Sequence, residues 1–440
     1  MFKSFKEHIN ENLSFLNGSK LLITISGGVD SVVLTHICHQ LNLNIALAHC
    51  NFNLRGKESD ADEDFVLQLA EDLNVEVFVE SFEIQAYAKQ NKLSTQMAAR
   101  ELRYNWFKEL ALQSHFDYIL TAHHADDNFE TFLINLTRGT GLDGLTGIPE
   151  INNNIVRPLL KFSREDIERY AKSNNVNWRE DSSNATTKYL RNKLRHDVIP
   201  VLKELNPQLL QNFETTQNHL QDSKVIIEDA VAKIKRKVVS VEDGIIKLHI
   251  KKLQKLSNTK AYLFELLKDF NFTAWDDVVN LLDAQPGKEI YSKTHRLVKD
   301  RNFLLLQKNN SDAIQDNVEE LQIIELQSKE LKIPQGTLML EAVEQIGEIN
   351  QSTIYVDKDL LKYPLTVRKW QKGDYFYPFG MQGKKKLSKF FKDEKLSLID
   401  KENVRLLCSD NEIFWILNMR LDNRFKISDK TKNILKIRLK

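Results

Sequence analysis

Cysteine is scarce in this 440-residue chain: Cys38, Cys50 and Cys408 are the only three, far apart and without a Cys-x-x-Cys pair. That pattern argues against a zinc ribbon and for a reducing compartment. Long apolar runs are also missing, since none approaches the roughly 20 residues that span a bilayer. The first residues, Met-Phe-Lys-Ser-Phe-Lys-Glu-His, lack the apolar core of a signal peptide. A cytoplasmic chain with no membrane partner is therefore expected. Net charge is nearly absent, at +1, but the balance hides a segregation. Residues 361–440 hold 20 Lys+Arg against 9 Asp+Glu, a net of +11, which leaves −10 on the remainder. A compact basic C-terminal unit on an acidic body is the form of a polyanion-binding surface. A solvated lysine-rich face has the same form.

What is present concentrates at residues 21–31, Leu-Leu-Ile-Thr-Ile-Ser-Gly-Gly-Val-Asp-Ser. Residues 21–25 are apolar or β-branched and predict a short buried strand. A helical run from Asp30 to about Gln40 follows, with Val32, Val33 and Ile37 on one face. Between the two, Ser26, Gly27, Gly28, Val29, Asp30 and Ser31 make a tight turn whose N–H groups and helix dipole converge on one spot. This is an anion cradle, to which the Ser26 and Ser31 hydroxyls can add donors. It lacks the lysine of a Walker loop and carries an aspartate instead. An acid beside a phosphate site makes sense where it holds a Mg²⁺ ion that neutralises both. On these six residues alone, a glycine-rich turn without a ligand remains the alternative.

The first 150 residues alternate strand-like segments (21–25, 44–49, 76–81, 118–122) with helical ones (30–40, 60–73, 94–114, 127–136). Strict alternation predicts a doubly wound, mostly parallel α/β sheet of Rossmann-like form, with ligands beyond the carboxyl ends of its strands. Asn152-Asn153-Asn154 reads as a polar turn, a charged helix is expected at 163–174, and another from about Lys188 to just before Pro200. We divide the chain into a catalytic domain at 1–205, a linker helix and mainly helical central region at 206–350, and a small basic α+β domain at 360–440. No chemical motif stands out in the central region.

Several polar clusters fall at the predicted strand ends. Ala48 to Gly56 brings His49, Cys50, Asn51, Phe52 and Arg55 out of the second strand. Arg100 and Arg103 lie one helical turn apart, either to meet phosphate or as a solvated stripe. Ala122-His-His-Ala-Asp-Asp-Asn-Phe-Glu-Thr131 lacks the spacing of a helix-borne zinc site, but its aspartates can cap a helix and reach a Mg²⁺ over the cradle. Arg138-Gly-Thr-Gly-Leu-Asp-Gly-Leu145 is a second glycine-rich loop with a cation. The 178–184 stretch follows, and then Arg191 and Arg195 at i, i+4, suited to a phosphate backbone or to solvent.

In order and spacing, 26–31, 122–131, 138–145, 157–160, 181–184 and 191–195 resemble the tRNA(Ile)-lysidine synthetase (TilS) family of PP-loop ATP pyrophosphatases. The resemblance returns at 373–378 and 383–391. Two positions depart from it: Phe52 stands where the family often has histidine, and Asn128 where it often has glutamine. The resemblance implies a ligase that uses ATP to adenylate O2 of the wobble cytidine in the CAU-anticodon isoleucine tRNA. The ε-amino group of free L-lysine then attacks C2, expelling AMP and changing decoding from Met to Ile. It further implies ATP on Ser26–Ser31 and Mg²⁺ on Asp30 and Asp127. Catalytic roles fall to Asp30, Asp127, His123 and Arg103, and tRNA contacts to Arg138, Arg191, Arg195, Lys384, Lys385 and Lys386. His124 and Asp126 are expected as support residues, and a homodimer is among the expected assemblies. A tRNA thiolase of the same fold is the alternative, with an amide-forming ligase and a non-catalytic tRNA-binding protein as further rivals.

Overall fold

The computed structural model describes residues 1–54, 56–180, 190–242, 244–309 and 322–440. Arg55 and the 181–184 part of the motif set lie outside the described residues, as do Asn310, Ser311 and Leu321. The chain divides into two compact units, Met1–Glu228 and Asp229–Lys440.

In the first unit, helix α1 (Phe2–Asn12) precedes β1 (Lys20–Thr24), α2 (Val29–Gln40), β2 (Asn44–Asn51), α3 (Lys57–Leu73) and β3 (Glu76–Ser81). Then come α4 (Ile84–Asn91), α5 (Thr95–Gln113), β4 (Tyr118–Leu120), α6 (Ala125–Thr137) and the single turn α7 (Leu142–Leu145). The hairpin β5 (Ile151–Asn152) and β6 (Ile155–Val156) turns on Asn153, whose φ is +54°. Helix α8 (Arg164–Ser173) follows, and beyond residues 181–189 come α9 (Leu190–Lys193), α10 (Ile199–Leu205) and α11 (Leu209–Val238), whose last residues, from Asp229, belong to the second unit.

The six strands run in the order β3-β2-β1-β4-β6-β5, parallel except for the β5–β6 pair. Side chains of β1 alternate between two buried layers, as a strand covered on both sides requires. Leu21 and Ile23 join Phe5, Val33, Val66 and Ile167 on one face, while Leu22 meets Phe107, Leu110 and Ile119 on the other. Each such fully buried aliphatic contributes roughly 1.5–3 kcal/mol. Strand β1 connects outward to β2 on one side and pairs with β4 on its other, so the crevice between the β1 and β4 ends is the sheet's switch point.

Between α9 and α10 the helix does not stop before Pro200, as the sequence predicts. It runs through a π-helical turn at Leu194–Val198, and Pro200 falls in the first turn of α10. There a missing N–H breaks no helical bond.

After the end of α11, the second unit is antiparallel, with three helices between the second and third strands of its first sheet. Its first sheet, in the order β7-β8-β11-β10-β9, comprises β7 (Val239–Glu242), β8 (Ile245–His249), β9 (Glu289–Tyr291), β10 (His295–Lys299) and β11 (Phe303–Lys308). Helices α12 (Ile250–Leu253), α13 (Thr259–Leu267) and α14 (Trp275–Asn280) pack on it through Leu253, Leu263 and Val278. In the central region, expected to be mainly helical, the helices thus lie on an antiparallel five-stranded sheet. Farther on, strands at Gln322–Ile324, Leu365–Lys369, Arg405–Ser409, Glu412–Ile416 and Arg420–Leu421 form one sheet. Those at Glu330–Ile333, Gly336–Val343, Ile434–Leu439 and Thr353–Asp357 form another, and the two share a core around Phe414 and Trp415. The last strand thus pairs with segments before residue 360, which ties the basic tail to chain that precedes it.

Candidate active site

The cradle is built where β1 ends. Gly27 takes φ +86°, a left-handed conformation that side chains resist, and Gly28 caps α2 in extended geometry. A Cβ at Gly27 would also touch Phe65 of α3 at 3.5 Å. The two serines brace the turn: Ser31 Oγ donates to the Gly28 carbonyl at 2.9 Å, and the Ser26 N–H donates to Ser31 Oγ at 3.2 Å. The Gly27 carbonyl accepts from the Arg179 N–H at 3.0 Å, and the Arg179 guanidinium binds Asp62 of α3. The N-terminus of the 12-residue helix α2 therefore presents fixed N–H groups, a setting that stabilises anions.

Asp30, in the first turn of α2, is joined by the end of β4. Its Oδ2 accepts from Arg164 of α8 and lies 3.8 Å from His124 Nε2, which is 3.4 Å from Asp127 Oδ2. Burial pushes the Asp30 carboxyl above its usual value, and the neighbouring Asp127 adds to this against the pull of His124 and Arg164. Its Oδ1 is buried without a hydrogen-bond partner. Asp127 is held differently. Its Oδ2 caps α6 by accepting the His124 N–H at 3.2 Å, and its Oδ1 accepts from Arg195 at 3.0 Å. Burial works to raise Asp127, but the His124, His123 and Arg195 charges outweigh it and its pKa is lowered.

Three neighbours surround this pair, of which Glu130 and Arg157 were given no role from sequence and Asp126 was. Glu130 is 1% exposed and accepts two bonds from Arg195, at 2.6 and 3.1 Å, yet burial still raises its carboxyl. Asp126, expected as support, accepts from Lys203 and from the Arg164 N–H at 2.8 Å, so α6, α8 and α10 meet on one carboxylate. Arg157 donates to the Pro149 carbonyl at 2.6 Å, with its Nε buried and unpartnered. Spacing could not reveal these residues, because the contacts of Arg164 with Asp30 and of Arg195 with Glu130 span 134 and 65 residues.

The remaining predicted residues divide. His123 bonds Thr121 Oγ1 at 2.9 Å, and burial lowers its pKa to about 4, with Arg157 and Arg100 opposing its protonation and Asp127 favouring it. Arg103 instead stands over Phe52 at 5.2 Å, near His49 and Cys50, so Arg100 is the arginine of that pair whose charge reaches His123. Arg138 is exposed at the end of α6. Arg191 and Arg195, expected as an outward basic ridge, turn toward α6. Arg195 is spent on Glu130 and Asp127, and Arg191 reaches Thr131 at 3.0 Å and Glu130 at 3.4 Å. In the C-terminal region Lys384 and Lys386 are exposed, whereas Lys385 is half-buried and paired with Asp393 at 2.8 Å. Of the aromatics beside them, Phe376 is fully buried while Tyr375 and Phe379 are exposed.

Among the described residues no group of three or more His, Cys, Asp or Glu side chains could hold a metal by itself. That fits a cation which arrives with phosphate, since Mg²⁺ is commonly held by one or two carboxylates plus substrate oxygens and water. The unpartnered Asp30 Oδ1 is the atom that such a cation would satisfy.

The PP-loop domain family matches residues 1–202, the TilS substrate binding domain 241–309 and the TilS substrate C-terminal domain 365–439. The tRNA(Ile)-lysidine synthase of Parabacteroides distasonis is 40% identical over 423 residues, covering 94% of each chain. That of Bacteroides thetaiotaomicron is 38% identical, covering 98% of this chain and 96% of the relative. A solved U34-tRNA thiolase from Methanococcus maripaludis is a looser likeness, with 18% identity and a TM-score of 0.41 over 49% of this chain and 78% of that one. With such relatedness along nearly its whole length, and with all three domain families in sequence, the chain belongs to the tRNA(Ile)-lysidine synthase family.

Proposed function

We propose that this ATP-using ligase joins free L-lysine to C2 of the wobble cytidine of the CAU-anticodon isoleucine tRNA, with chemistry centred on Asp30. The observation that carries the assignment of the centre is the buried, unpartnered Asp30 Oδ1 beside a phosphate cradle at the sheet's switch point. Asp30 and Asp127 would hold Mg²⁺, which would supply charge neutralisation at the ATP phosphates. The Gly27–Gly28 backbone and the Ser26 hydroxyl stabilise the negative charge that builds on departing pyrophosphate, a kind of donor worth about 3–4 kcal/mol when deleted, while Ser31, its hydroxyl given to the Gly28 carbonyl, holds the turn in shape. His123 is neutral at working pH, so it offers the base or the α-phosphate a hydrogen bond rather than a charge. Arg103, over Phe52 at the end of β2, would meet the substrate from there, while Arg100 is the arginine whose charge reaches His123. Arg195 orients Asp127 and Glu130, leaving Arg138 and the exposed lysines 384 and 386 as the first candidates for phosphates of the tRNA.

The reading places the protein in the cytoplasm, where tRNA, ATP and free lysine meet, and leaves homodimer formation to a direct measurement of mass. Release of AMP that depends on both lysine and tRNA tests the reaction, with pyrophosphate release requiring tRNA; AMP release without lysine or without tRNA refutes it. Asp30→Asn should abolish pyrophosphate release while tRNA binding stays within a few-fold of wild type. Loss of both together would make Asp30 a structural turn residue.

A further inference from the structure

The glycine loop at 138–148 is fastened from outside by α11, at two places on one helix face. Gln217 and Asn128 of α6 exchange amide hydrogen bonds: Asn128 Nδ2 donates to Gln217 Oε1 at 2.8 Å, and Gln217 Nε2 returns to Asn128 Oδ1 at 3.3 Å. Each amide then reaches the loop itself. Gln217 Nε2 donates to the Thr146 carbonyl at 3.2 Å, and Asn128 Oδ1 accepts the Ile148 N–H at 2.8 Å. Between those two contacts sits Gly147, with φ +72°. A Cβ there would lie 2.1 Å from Gln217 Nε2 and 2.3 Å from Asn128 Oδ1, so the loop backbone is pressed directly under the pair. Two helical turns along α11, Lys224 Nζ lies 2.8 Å from Asp143 Oδ1.

We infer that Gln217 is a positioning residue for RNA binding: through Asn128 and Thr146 it holds the 138–148 loop, and with it Arg138, in the shape that receives the tRNA. This rests on the reading above that Arg138 meets the tRNA. Asn128 is 7% exposed, so the amides compete with little water, and removing one strands the other. The Lys224 contact is half open to solvent and serves as the weaker of the two fastenings. Asn128 neighbours Asp127 but turns away from it toward α11, so the brace can act on the loop without acting on the acid pair. The pairing also accounts for asparagine at 128, because the longer glutamine comes from the opposite helix and the two together span the gap.

The test compares the full-length enzyme with Gln217→Ala, Arg138→Ala and the exchanged pair Asn128→Gln/Gln217→Asn, which keeps the summed side-chain length. For Gln217→Ala, amide exchange at 138–148 should rise. The Kd and KM for the tRNA(Ile) transcript should rise about fivefold to tenfold, the size of one or two lost neutral hydrogen bonds. Its kcat and ATP Kd should stay within about twofold, and the exchanged pair should recover most of the tRNA affinity. An equal fall in kcat or ATP binding would overturn the inference by making Gln217 a support of α6, and so would failure of the exchanged pair. Unchanged tRNA affinity in Gln217→Ala overturns it as well. If Arg138→Ala then weakens tRNA binding, only the brace has failed; if Arg138→Ala is also silent, the tRNA reading of the loop has failed with it.

Discussion

Arg195 shows how far one side chain's role depends on its partners. At i, i+4 from Arg191 it could equally serve a phosphate or solvent, but its guanidinium closes on Glu130, which is 1% exposed, and on Asp127. Removing it would leave the buried Glu130 with only Arg191 at 3.4 Å and take the partner of Asp127 Oδ1, and breaking such a pair is strongly destabilising. Because Arg195 itself is 34% exposed, solvent relieves part of that cost, and Arg195→Ala should lose about 2–4 kcal/mol in urea unfolding. Arg191→Ala should cost under about 1 kcal/mol. A stable Arg195→Ala protein that has merely lost tRNA affinity would restore the outward reading. His123 gives a pH signature. Burial lowers it to about 4 from an ordinary 6.5, so the folded chain holds it neutral while the unfolded chain takes up a proton. Stability is therefore lost as pH falls from about 6.5 toward 4, on the order of 2 kcal/mol between pH 7 and pH 5. His123→Gln should shed about that much less over the same interval; an identical loss would assign the pH dependence to other groups.

At the scale of elements, local rules sufficed wherever the pattern was periodic and bounded. The strand at Lys20–Thr24 and the helix at Thr95–Gln113 fall where the apolar run at 21–25 and the helical segment at 94–114 put them, and the Ser94 side chain closes the helix start by accepting the Met97 N–H. The candidate site was legible to the same depth, because the strand ends and their acids are local features. Its wiring was not, since Arg164, Arg195 and Lys203 reach the acids from elements far along the chain. Pro200 misled for a physical reason: a proline halts a helix interior but starts a new turn without cost. Strands β7–β11 were missed as a sheet because short apolar runs do not reveal their pairing. The end of β2 separates two chemistries. Burial first, with Glu80 adding and Arg103 opposing, pushes the Cys50 thiol up to about 12, while Cys38 rises to about 12 and Cys408 to about 11. A sulfur carrier needs a thiolate, which these sites disfavour. Cys50→Ser should keep most lysine-dependent AMP release, and its complete loss together with a sulfur adduct on the tRNA would favour thiolation.

Across the whole molecule, the charge asymmetry makes the most quantitative demand. The net of +11 in residues 361–440 is a sequence fact, but the structure narrows which lysines are available to an RNA. Lys385 is held by Asp393 and lies 5.4 Å from the Phe390 ring, so it belongs to the fold. Lys384, Lys386, Lys389 and Lys392 are exposed, the last two on the short helix Leu387–Asp393, whose core residues Leu387, Phe390 and Phe391 face inward. Truncating the tail would be a poor test, because the strand Ile434–Leu439 pairs with Gly336–Val343 and Thr353–Asp357, and both would lose their partner. Changing the four exposed lysines to glutamine leaves that pairing and the helix core untouched. If those lysines meet phosphates, tRNA affinity should fall, and the slope of log K against log salt should become shallower by about 3 units, at roughly 0.7–0.9 per contact. ATP affinity should not move, because the cradle is formed entirely within the first unit. Lys385→Gln alone should instead leave the slope within about one unit of wild type. A quadruple variant that folds, binds tRNA as tightly and keeps the full slope would move the RNA contact off this helix and onto the rest of the basic surface.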